Sequence, residues 1–310
     1  MDRRKILERS FQRGHLLTVK SKFYRDWIDT FIIDEIKADF GKGDITSEAV
    51  LMNKKAKATV FSRSAGVIAG IEEVCYILRS YGLDVRELVK DGEKIRKGSK
   101  ILEISGKANS ILKLERTALD MLSRMSGIAS LTNQLVKKAG KVGIAPTRKT
   151  EWRFIDKKAV FVGGGLTHRL ALWESILIKD NHLDALKKEG VHDPVVVSIE
   201  RAWKNRKRGA FIEIEASNEA DAFKAAQKFK ELQGNSYNTP CFIMLDNMKP
   251  AAIKKIIRRL KALNNHVMIE ASGGITPDNL KAYSKTGVDV ISMGYLTTSC
   301  KALDMKLRFI

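Results

Sequence analysis

Three clusters of cationic side chains follow short apolar runs in the second half of the chain. They are Arg148-Lys149 in PTRKT, His168-Arg169 in GGGLTHR and Lys179 in LIKDNH. An arginine fork pairs with a carboxylate or phosphate, and a lysine offers a compact charge to phosphate oxygens. A single cation after a strand is ordinarily solvated, but three successive clusters predict a ligand with several negative charges.

Carboxylates follow later apolar runs in the same way: Glu215 in FIEIEAS, Asp246 in MLDNM and Glu270 in VMIEASGG. Carboxylates that face a cationic pocket can coordinate a divalent metal, hold ribose hydroxyls or stabilise a developing positive charge. The expected form is Mg²⁺ bound by one or two carboxylates together with substrate phosphates. Glu213 shares a face with Glu215 on the same strand, and we interpret it as the partner of a neighbouring lysine.

The segment EASGGITPDNL predicts a phosphate site. A helix is expected to start here, with Thr276 as its N-cap and Pro277 at its first position, so that backbone N–H groups face an anion. The candidate phosphate contacts come from the turn before this helix and from the next predicted strand end: Ser272, Gly273, Gly274 and Gly294.

The elements that precede these clusters must bring them together. From about residue 141, short apolar runs alternate with helical patterns, and the runs are VGIAP, AVFVGGG, SILI, AFIEIE, CFIML, VMIEA and DVISM. Side chains that follow successive parallel strands meet at one end of a β/α barrel. We therefore favour a barrel with seven strands over the competing open doubly wound sheet, in which function gathers at one switch point.

The first third of the chain has a different pattern. A helical segment (22–39) precedes short β-type segments punctuated by Gly and Asp-Gly, which predicts a small α+β domain. Residues 111–140 then carry apolar side chains at helical spacing, with an interruption at Ser126-Gly127. They predict a long connecting helix that breaks in two.

Composition limits the class of protein. The chain has 310 residues, 44% of them hydrophobic, which is enough for a full core and two domains. Its apolar runs are shorter than the roughly 18 residues of a membrane span, and its basic start lacks the pattern of a secretory signal. We expect a cytoplasmic protein, with Cys75, Cys241 and Cys300 as reduced thiols. The net charge of +20 suits anionic substrates, and a non-catalytic RNA-binding barrel is the alternative from another class.

In order and spacing, these motifs resemble the quinolinate phosphoribosyltransferase family, also called nicotinate-nucleotide pyrophosphorylase (carboxylating). The similar segments are GKGDITSEAV (41–50), LERTALDMLSRMSGIASLT (114–132), TRKT (147–150), KKAVFVGGGLTHR (157–169), LIKDNHL (177–183), IEIEA (212–216), MLDNMKP (244–250), EASGGITPDNL (270–280) and GVDVISMGYLTTS (287–299). The resemblance implies an α/β protein with two domains: an N-terminal α/β sandwich (1–118), joined by the C-terminal tail (about 300–310), and an incomplete seven-stranded, TIM-like α/β barrel (119–299).

The resemblance also implies roles for the candidate residues. Those implied to hold quinolinate are Arg116, Arg148, Lys149, His168, Arg169 and Lys179. Those implied to bind phosphoribosyl pyrophosphate are Glu215, Asp246, Ser272, Gly273, Gly274 and Gly294. The two carboxylates of the second set would also bind Mg²⁺, and the catalytic residues would be Lys149, Lys179, Glu215 and Asp246.

The implied subunit acts in a homodimer or an assembly of dimers, in which the sandwich of one subunit covers the barrel mouth of the other. Arg116 would then reach the site of the partner subunit. Without the resemblance, we would interpret Arg116 as a surface residue that pairs with Glu115 on a long helix.

The implied activity joins quinolinate to the ribose phosphate of phosphoribosyl pyrophosphate and forms nicotinate mononucleotide, pyrophosphate and CO₂ in de novo NAD biosynthesis. One departure stands out: Thr150 is followed by Glu151-Trp152-Arg153-Phe154, where the family usually has a Thr-Pro-Gly-like turn and an arginine. This departure leaves open an enzyme for nicotinate or another heterocyclic acid, including a paralogue group associated with molybdenum uptake. The intact KDNH and THR clusters favour quinolinate.

Overall fold

The computed structural model describes residues 2–51, 54–234 and 238–310. The chain divides into two compact units. We call the first the parallel-sheet unit, and it comprises Met1–Arg13, Leu135–Thr150 and Gly165–Tyr295. We call the second the antiparallel-sheet unit, and it comprises Gly14–Gln134, Glu151–Gly164 and Leu296–Ile310.

The elements follow one another closely along the chain. The α-helices are α1 (Arg3–Phe11), α2 (Lys22–Phe40), α3 (Ile45–Val50), α4 (Ile71–Ser80), α5 (Ala108–Ala139), α6 (Phe154–Val162), α7 (Asp180–Lys188), α8 (Pro194–Lys204), α9 (Glu219–Gln233), α10 (Pro250–Leu263), α11 (Leu280–Ser284) and α12 (Tyr295–Thr298). The strands are β1 (Lys55–Ser62), β2 (Gly66–Val67), β3 (Asp84–Glu87), β4 (Lys94–Ile95), β5 (Lys100–Lys107), β6 (Gly143–Pro146), β7 (Ile176–Ile178), β8 (Ile212–Ala216), β9 (Cys241–Asp246), β10 (Met268–Ser272), β11 (Val290–Met293) and β12 (Met305–Phe309). Short 3₁₀ helices lie at Gly14–Leu16 and Arg206–Arg208.

The parallel-sheet unit contains a sheet with the strand order β6-β11-β10-β9-β8-β7. All its neighbouring strands are parallel. From β7 to β11 the neighbours follow chain order, and β6 lies beside β11. This circular order is that of a barrel wall interrupted between β6 and β7, whereas a doubly wound sheet reverses its order at a switch point. The predicted α/β class with a barrel-like sheet is confirmed.

One of the seven predicted strands is wrong, so the sheet has six strands within the described ranges. The AVFV part of the segment 159–165 ends the helix α6. Residues 155–160 of this helix are all buried, and a helix buried on every side shows the same short apolar run as a buried strand. The chain then becomes extended, and the N–H of Leu166 donates to the carbonyl oxygen of Ile144 in β6 at 2.7 Å.

The floor of the parallel sheet is an apolar cluster closed by helix α1. Its buried members are Leu7, Phe11, Ala145, Leu166, Phe211, Phe242, Met268 and Val290. The rings of Phe11 and Phe242 stack with their centroids 4.6 Å apart. Because side chains alternate along each strand, the residues two positions beyond Phe242 and Met268 point to the same face and form the next layer toward the carboxyl ends.

The antiparallel-sheet unit contains a sheet with the strand order β12-β1-β5-β3. Strand β12 pairs antiparallel with β1, from Ala58 opposite Phe309 to Ser62 opposite Met305. The last residues of the chain therefore complete a sheet that begins about 250 positions earlier, at β1 (Lys55–Ser62).

Helix α5 continues through Ser126-Gly127, and the predicted break there is wrong. The Ser126 hydroxyl accepts a hydrogen bond from the N–H of Ala69 at 3.0 Å. A Cβ at Gly127 would lie 2.4 Å from the carbonyl oxygen of Lys301. These small residues therefore allow other backbone segments to approach the helix closely. Of the helices in the described part of the chain, none is both long and apolar enough to cross a bilayer.

Candidate functional site

The carboxylates predicted at the strand ends share one face of the parallel sheet. Glu215 precedes the last residue of β8, while Asp246 ends β9 and Ser272 ends β10. In register, Asp246 is opposite Ser272, and Glu215 is opposite Met244. Because alternate residues on a strand point the same way, Glu215, Asp246 and Ser272 all face the carboxyl-end layer of the sheet.

Two lysines lie next to these carboxylates. Lys179, which immediately precedes α7, forms an ion pair with Glu215. Burial raises the pKa of the Asp246 carboxyl, while the nearby positive charges of Lys179 and Lys149 oppose that rise. A Cβ added to Gly294 would lie 3.6 Å from Cδ of Lys149, so the end of β11 adjoins the TRKT segment. Residues predicted from five separate motifs therefore meet at one end of the sheet.

Two arginines lie close enough to repel each other. Arg169 is 5% exposed, and its Nη1 donates to the carbonyl oxygen of Ser175 at 3.2 Å. Burial lowers the pKa of the Arg169 guanidinium, and the positive charge of Arg148 lowers it further. Two guanidinium groups whose positive charges repel each other favour an anion in the same region. The pair is therefore suited to a substrate carboxylate or phosphate.

The structure places His168 beneath the strand ends, in a buried acidic cluster. Its Nε2 lies 3.3 Å from Glu213 and 3.3 Å from Glu270. All three side chains are buried, and the imidazole ring lies 4.1 Å from that of Phe11 between centroids. The Ser292 hydroxyl donates to Glu270. The partner of Glu213 is thus a histidine, whereas the sequence interpretation had expected a lysine.

Protonation of this cluster reflects opposing effects. Burial disfavours the charged imidazole, but the carboxylates of Glu270 and Glu213 outweigh it and raise the pKa of His168 to about 9. The backbone N–H of Arg169, however, donates to Nδ1 of His168 at 2.7 Å, which requires a lone pair there and places the ring proton on Nε2. Burial also raises the pKa of Glu213 to about 8. We therefore expect His168 and Glu213 to bind protons more readily here than they would in solvent.

The SGG turn has the two glycines without side chains that the sequence analysis expected, but it does not lead directly into a helix. Gly273 and Gly274 have φ angles of +90° and +60°. The predicted helix start at Thr276 is wrong, since α11 begins at Leu280 and has five residues. The Asn279 side chain closes the turn instead, because its Oδ1 accepts from the N–H of Thr276 at 2.9 Å and its Nδ2 donates to the carbonyl oxygen of Gly274 at 3.0 Å.

Arg116 belongs to the antiparallel-sheet unit. It lies on α5, has a side chain that is 63% exposed, and pairs with Asp120 at 3.1 Å rather than with Glu115. It lines a pocket of about 320 Å³ together with Phe31, Glu35, Ala38, Asp39, Thr117, Asp120, Met121 and Trp152.

The unusual segment after Thr150 is firmly held within the antiparallel-sheet unit. Arg124 binds the buried Asp156 through two hydrogen bonds of 2.8 and 2.9 Å, and it pairs with Glu151 at 2.8 Å. The Trp152 ring lies 5.4 Å from that of Phe31 between centroids. Ion pairs and aromatic contacts therefore hold this segment in the place where the family usually has a Thr-Pro-Gly-like turn.

Sequence reasoning missed two contributions to this region. Asn247, which the sequence did not single out, has a φ of +56° and donates its side-chain amide to Asp246 at 2.6 Å. Glu213 was interpreted as the partner of a lysine. It lies instead with His168 and Glu270, in a group whose side-chain atoms are close enough together to hold a metal ion. The signal for Glu213 was present, since an acidic residue in the middle of an otherwise buried strand must have a partner.

Fold and site together define an α/β-barrel protein whose strand ends bring cationic side chains and carboxylates close to one another. Sequence profiles of the C-terminal and N-terminal domains of quinolinate phosphoribosyl transferase match residues 128–308 and 44–126. The chain belongs to the quinolinate phosphoribosyltransferase family.

Individual proteins support this assignment. A probable nicotinate-nucleotide pyrophosphorylase (carboxylating) from Methanocaldococcus jannaschii is 37% identical over 92% of this chain and 98% of the relative. A protein of the same name from Methanothermobacter thermautotrophicus is 36% identical over 89% of this chain and 97% of the relative. The crystal structure of nicotinate-nucleotide pyrophosphorylase from Ehrlichia chaffeensis superimposes with a TM-score of 0.76 at 33% identity, over 91% of this chain and 98% of that one.

Proposed function

We propose that this chain is an enzyme, a pentosyltransferase, that joins quinolinate to the phosphoribosyl group of phosphoribosyl pyrophosphate and forms nicotinate mononucleotide in NAD biosynthesis. The relatives named above carry the corresponding activity in their names. The observation that carries the proposal is the convergence of Arg148 and Arg169 with the Lys179–Glu215 ion pair and Asp246 at one end of the parallel sheet.

Quinolinate has two adjacent carboxylates, and the paired guanidinium groups of Arg148 and Arg169 suit them. With the carboxylates held, the ring nitrogen can be directed at C1 of the ribose. The nitrogen–C1 bond forms as the C1–oxygen bond to pyrophosphate breaks, and nearby carboxylates stabilise the positive charge that develops on the sugar. Positioning and electrostatics account for this step without a covalent protein nucleophile.

Decarboxylation follows at the neighbouring carbon. The quaternised ring nitrogen withdraws electrons, the bond from C2 to its carboxylate breaks, and CO₂ leaves. The electron pair stays at C2 until a proton replaces the lost group. Lys149 and Lys179 are the cations we assign to stabilise the negative charge during this step.

We propose Mg²⁺ as the cofactor, held by Glu215 and Asp246 together with substrate phosphates. Two carboxylates on one face of adjacent strands suit an ion that prefers oxygen ligands. When bound, Mg²⁺ would neutralise charge on the departing pyrophosphate. The raised pKa of Asp246 supports the assignment, because a half-buried carboxylate gains from a second positive charge nearby. The backbone of Ser272, Gly273, Gly274 and Gly294 is the proposed phosphate contact.

We propose that the chain acts in the cytoplasm on small molecules, as a homodimer or an assembly of dimers in which Arg116 serves the partner subunit. Arg116 is largely exposed, and its pair with Asp120 is a surface pair worth about 0.5 kcal/mol, so little is lost when it changes partners. Mixing two variants that should each be strongly impaired, Arg116→Ala and Asp246→Asn, tests this. Recovered activity supports the shared site, whereas a mixture as inactive as its components contradicts it.

The function itself is tested by turnover with quinolinate, phosphoribosyl pyrophosphate and Mg²⁺, following both nicotinate mononucleotide and CO₂. Nicotinate is offered in a parallel reaction as the competing acceptor. We expect product from quinolinate. Product from nicotinate alone would show that the substrate is another pyridine acid, and the unusual segment Glu151–Phe154 would then be the first candidate for the changed specificity. The absence of turnover with either acceptor would contradict the proposal.

A further inference from the structure

We propose that Glu213 and Glu270 are positioning residues of the substrate pocket, which act through His168 to hold Arg169 in place for quinolinate. This inference rests on the function proposed above. Neither carboxylate is at the strand-end layer where substrate would bind, because each lies two residues before a member of that layer, Glu215 or Ser272.

The contacts form a continuous path. Glu213 on β8 and Glu270 on β10 both lie 3.3 Å from Nε2 of His168, so the ring is held from two strands. The opposite nitrogen of the same ring, Nδ1, accepts the backbone N–H of Arg169 at 2.7 Å. His168 has a φ of +52°, an unusual conformation for a residue with a side chain, and this hydrogen bond helps to hold it.

The unfavourable free energy of burying these carboxylates indicates that they have a role other than stabilising the fold. Glu213 and Glu270 are 0% exposed and lie one layer above an apolar floor, where hydrocarbon side chains would pack at no electrostatic cost. Burying a carboxylate costs several kcal/mol unless it is well paired, and replacing buried ionic groups by apolar residues of similar volume is often neutral or stabilising. Fold stability alone therefore does not account for two carboxylates and a histidine here.

Arg169 is the group that needs such support. Its guanidinium is buried beside the like charge of Arg148, and the negative charges of Glu213 and Glu215 favour its charged form. Without the cluster, the backbone at Arg169 loses its hydrogen bond to a fixed ring, and the guanidinium loses nearby negative charge. A misplaced guanidinium would weaken the binding of quinolinate more than that of phosphoribosyl pyrophosphate.

The test compares Glu213→Gln and Glu270→Gln with the wild-type chain. Glu73→Gln is the matched control, because Glu73 is an equally buried carboxylate in the antiparallel-sheet unit, where it accepts a hydrogen bond from Tyr24. We expect either cluster variant to raise the KM for quinolinate about tenfold, equivalent to about 1.4 kcal/mol, with the KM for phosphoribosyl pyrophosphate within about twofold. The control should leave both KM values unchanged.

A second readout distinguishes positioning from general destabilisation. The ring-nitrogen chemical shifts of His168, assigned with a His168→Gln variant, should change in Glu213→Gln and Glu270→Gln but not in Glu73→Gln. If a glutamine variant does not fold, Ser292→Ala removes only the hydrogen bond to Glu270 and should produce a smaller change of the same kind.

Two results would overturn the inference. One is an unchanged KM for quinolinate in both cluster variants. The other is a divalent cation that copurifies at one per chain and is lost in Glu213→Gln, because the cluster would then be a metal site. A wild-type chain without turnover contradicts the proposed function instead, and calorimetric binding of quinolinate to wild type and Glu213→Gln would then decide the positioning role.

Discussion

The backbone N–H of Asn247 donates a hydrogen bond to the carbonyl oxygen of Ser272 at 2.9 Å. The Asn247 side chain also fills the space beside the next residue, since a Cβ at Gly273 would lie 2.2 Å from its Oδ1. The end of β9 and the turn after β10 are therefore joined by one residue. Through Asn247, Asp246 is thus linked to the proposed phosphate turn.

The first prediction concerns the close approach at Gly273. Gly273→Ala should destabilise the chain by about 1–3 kcal/mol and raise the KM for phosphoribosyl pyrophosphate, because a methyl group would push Asn247 away at a φ of +90°. Gly190→Ala is the matched control, with a φ of +82° and nothing within 4 Å of the added Cβ. Thermal unfolding and initial rates measure both variants. Equal effects of the two substitutions would show that backbone strain alone matters.

The second prediction concerns the ion pairs that hold the segment after Thr150. Asp156→Asn should cost about 3–5 kcal/mol, because it leaves the half-buried Arg124 without its fully buried partner. Glu151→Gln removes the other partner of Arg124, which is 69% exposed, and should cost less than about 1 kcal/mol. Chemical denaturation compares the two variants. A similar loss in both would contradict the assigned roles.

The third prediction follows from Glu73, whose pKa burial raises to about 7 although Lys158 opposes the rise. An acid with a higher pKa in the folded chain binds a proton on folding. Its contribution to stability is therefore complete below its ordinary pKa of about 4.3 and is lost as the pH rises through about 7. Relative to Glu73→Gln, the wild-type chain should lose stability across that window and show no further change above about pH 8.

Thermal unfolding of both chains at fixed protein concentration, in steps from pH 5 to pH 8, checks this sign. A difference between wild type and Glu73→Gln that does not vary with pH would mean that Glu73 stays ionised throughout, paired with Lys158.

The fourth prediction concerns the proposed metal ligand. Asp246→Asn should lower kcat about 100-fold and raise the Mg²⁺ concentration needed for half-maximal rate, since one of two carboxylate ligands is lost. Asp184→Asn is the control, because Asp184 is exposed and pairs only with the neighbouring Lys187 among the residues described. Rates measured across a Mg²⁺ series decide the outcome, and an unaltered Mg²⁺ dependence in Asp246→Asn would remove this residue from the metal site.

Several predictions from the sequence depended on local pattern and were confirmed. The apolar runs that became β6, β7, β8, β9, β10 and β11 were recognisable because a strand buried on both faces is a short, continuous apolar segment. The same rule failed at 159–165, where a fully buried helix has the same signature. The sequence also predicted a break in α5 at Ser126-Gly127, because these residues are small and interrupt the helical pattern. The sequence could not show that another backbone segment packs closely against the helix at this point.

The sequence by itself determined the α/β class, the family and the chemical types of the strand-end residues, because motifs and their spacing are local properties of the chain. Only the tertiary structure decided at which depth of the sheet each acidic residue lies and which basic side chain it meets. Glu213 and Glu215 are two residues apart on β8, yet the first lies beside His168 and the second beside Lys179. That difference arises from depth along the sheet, which is set by register with neighbouring strands and not by the order of residues within one of them.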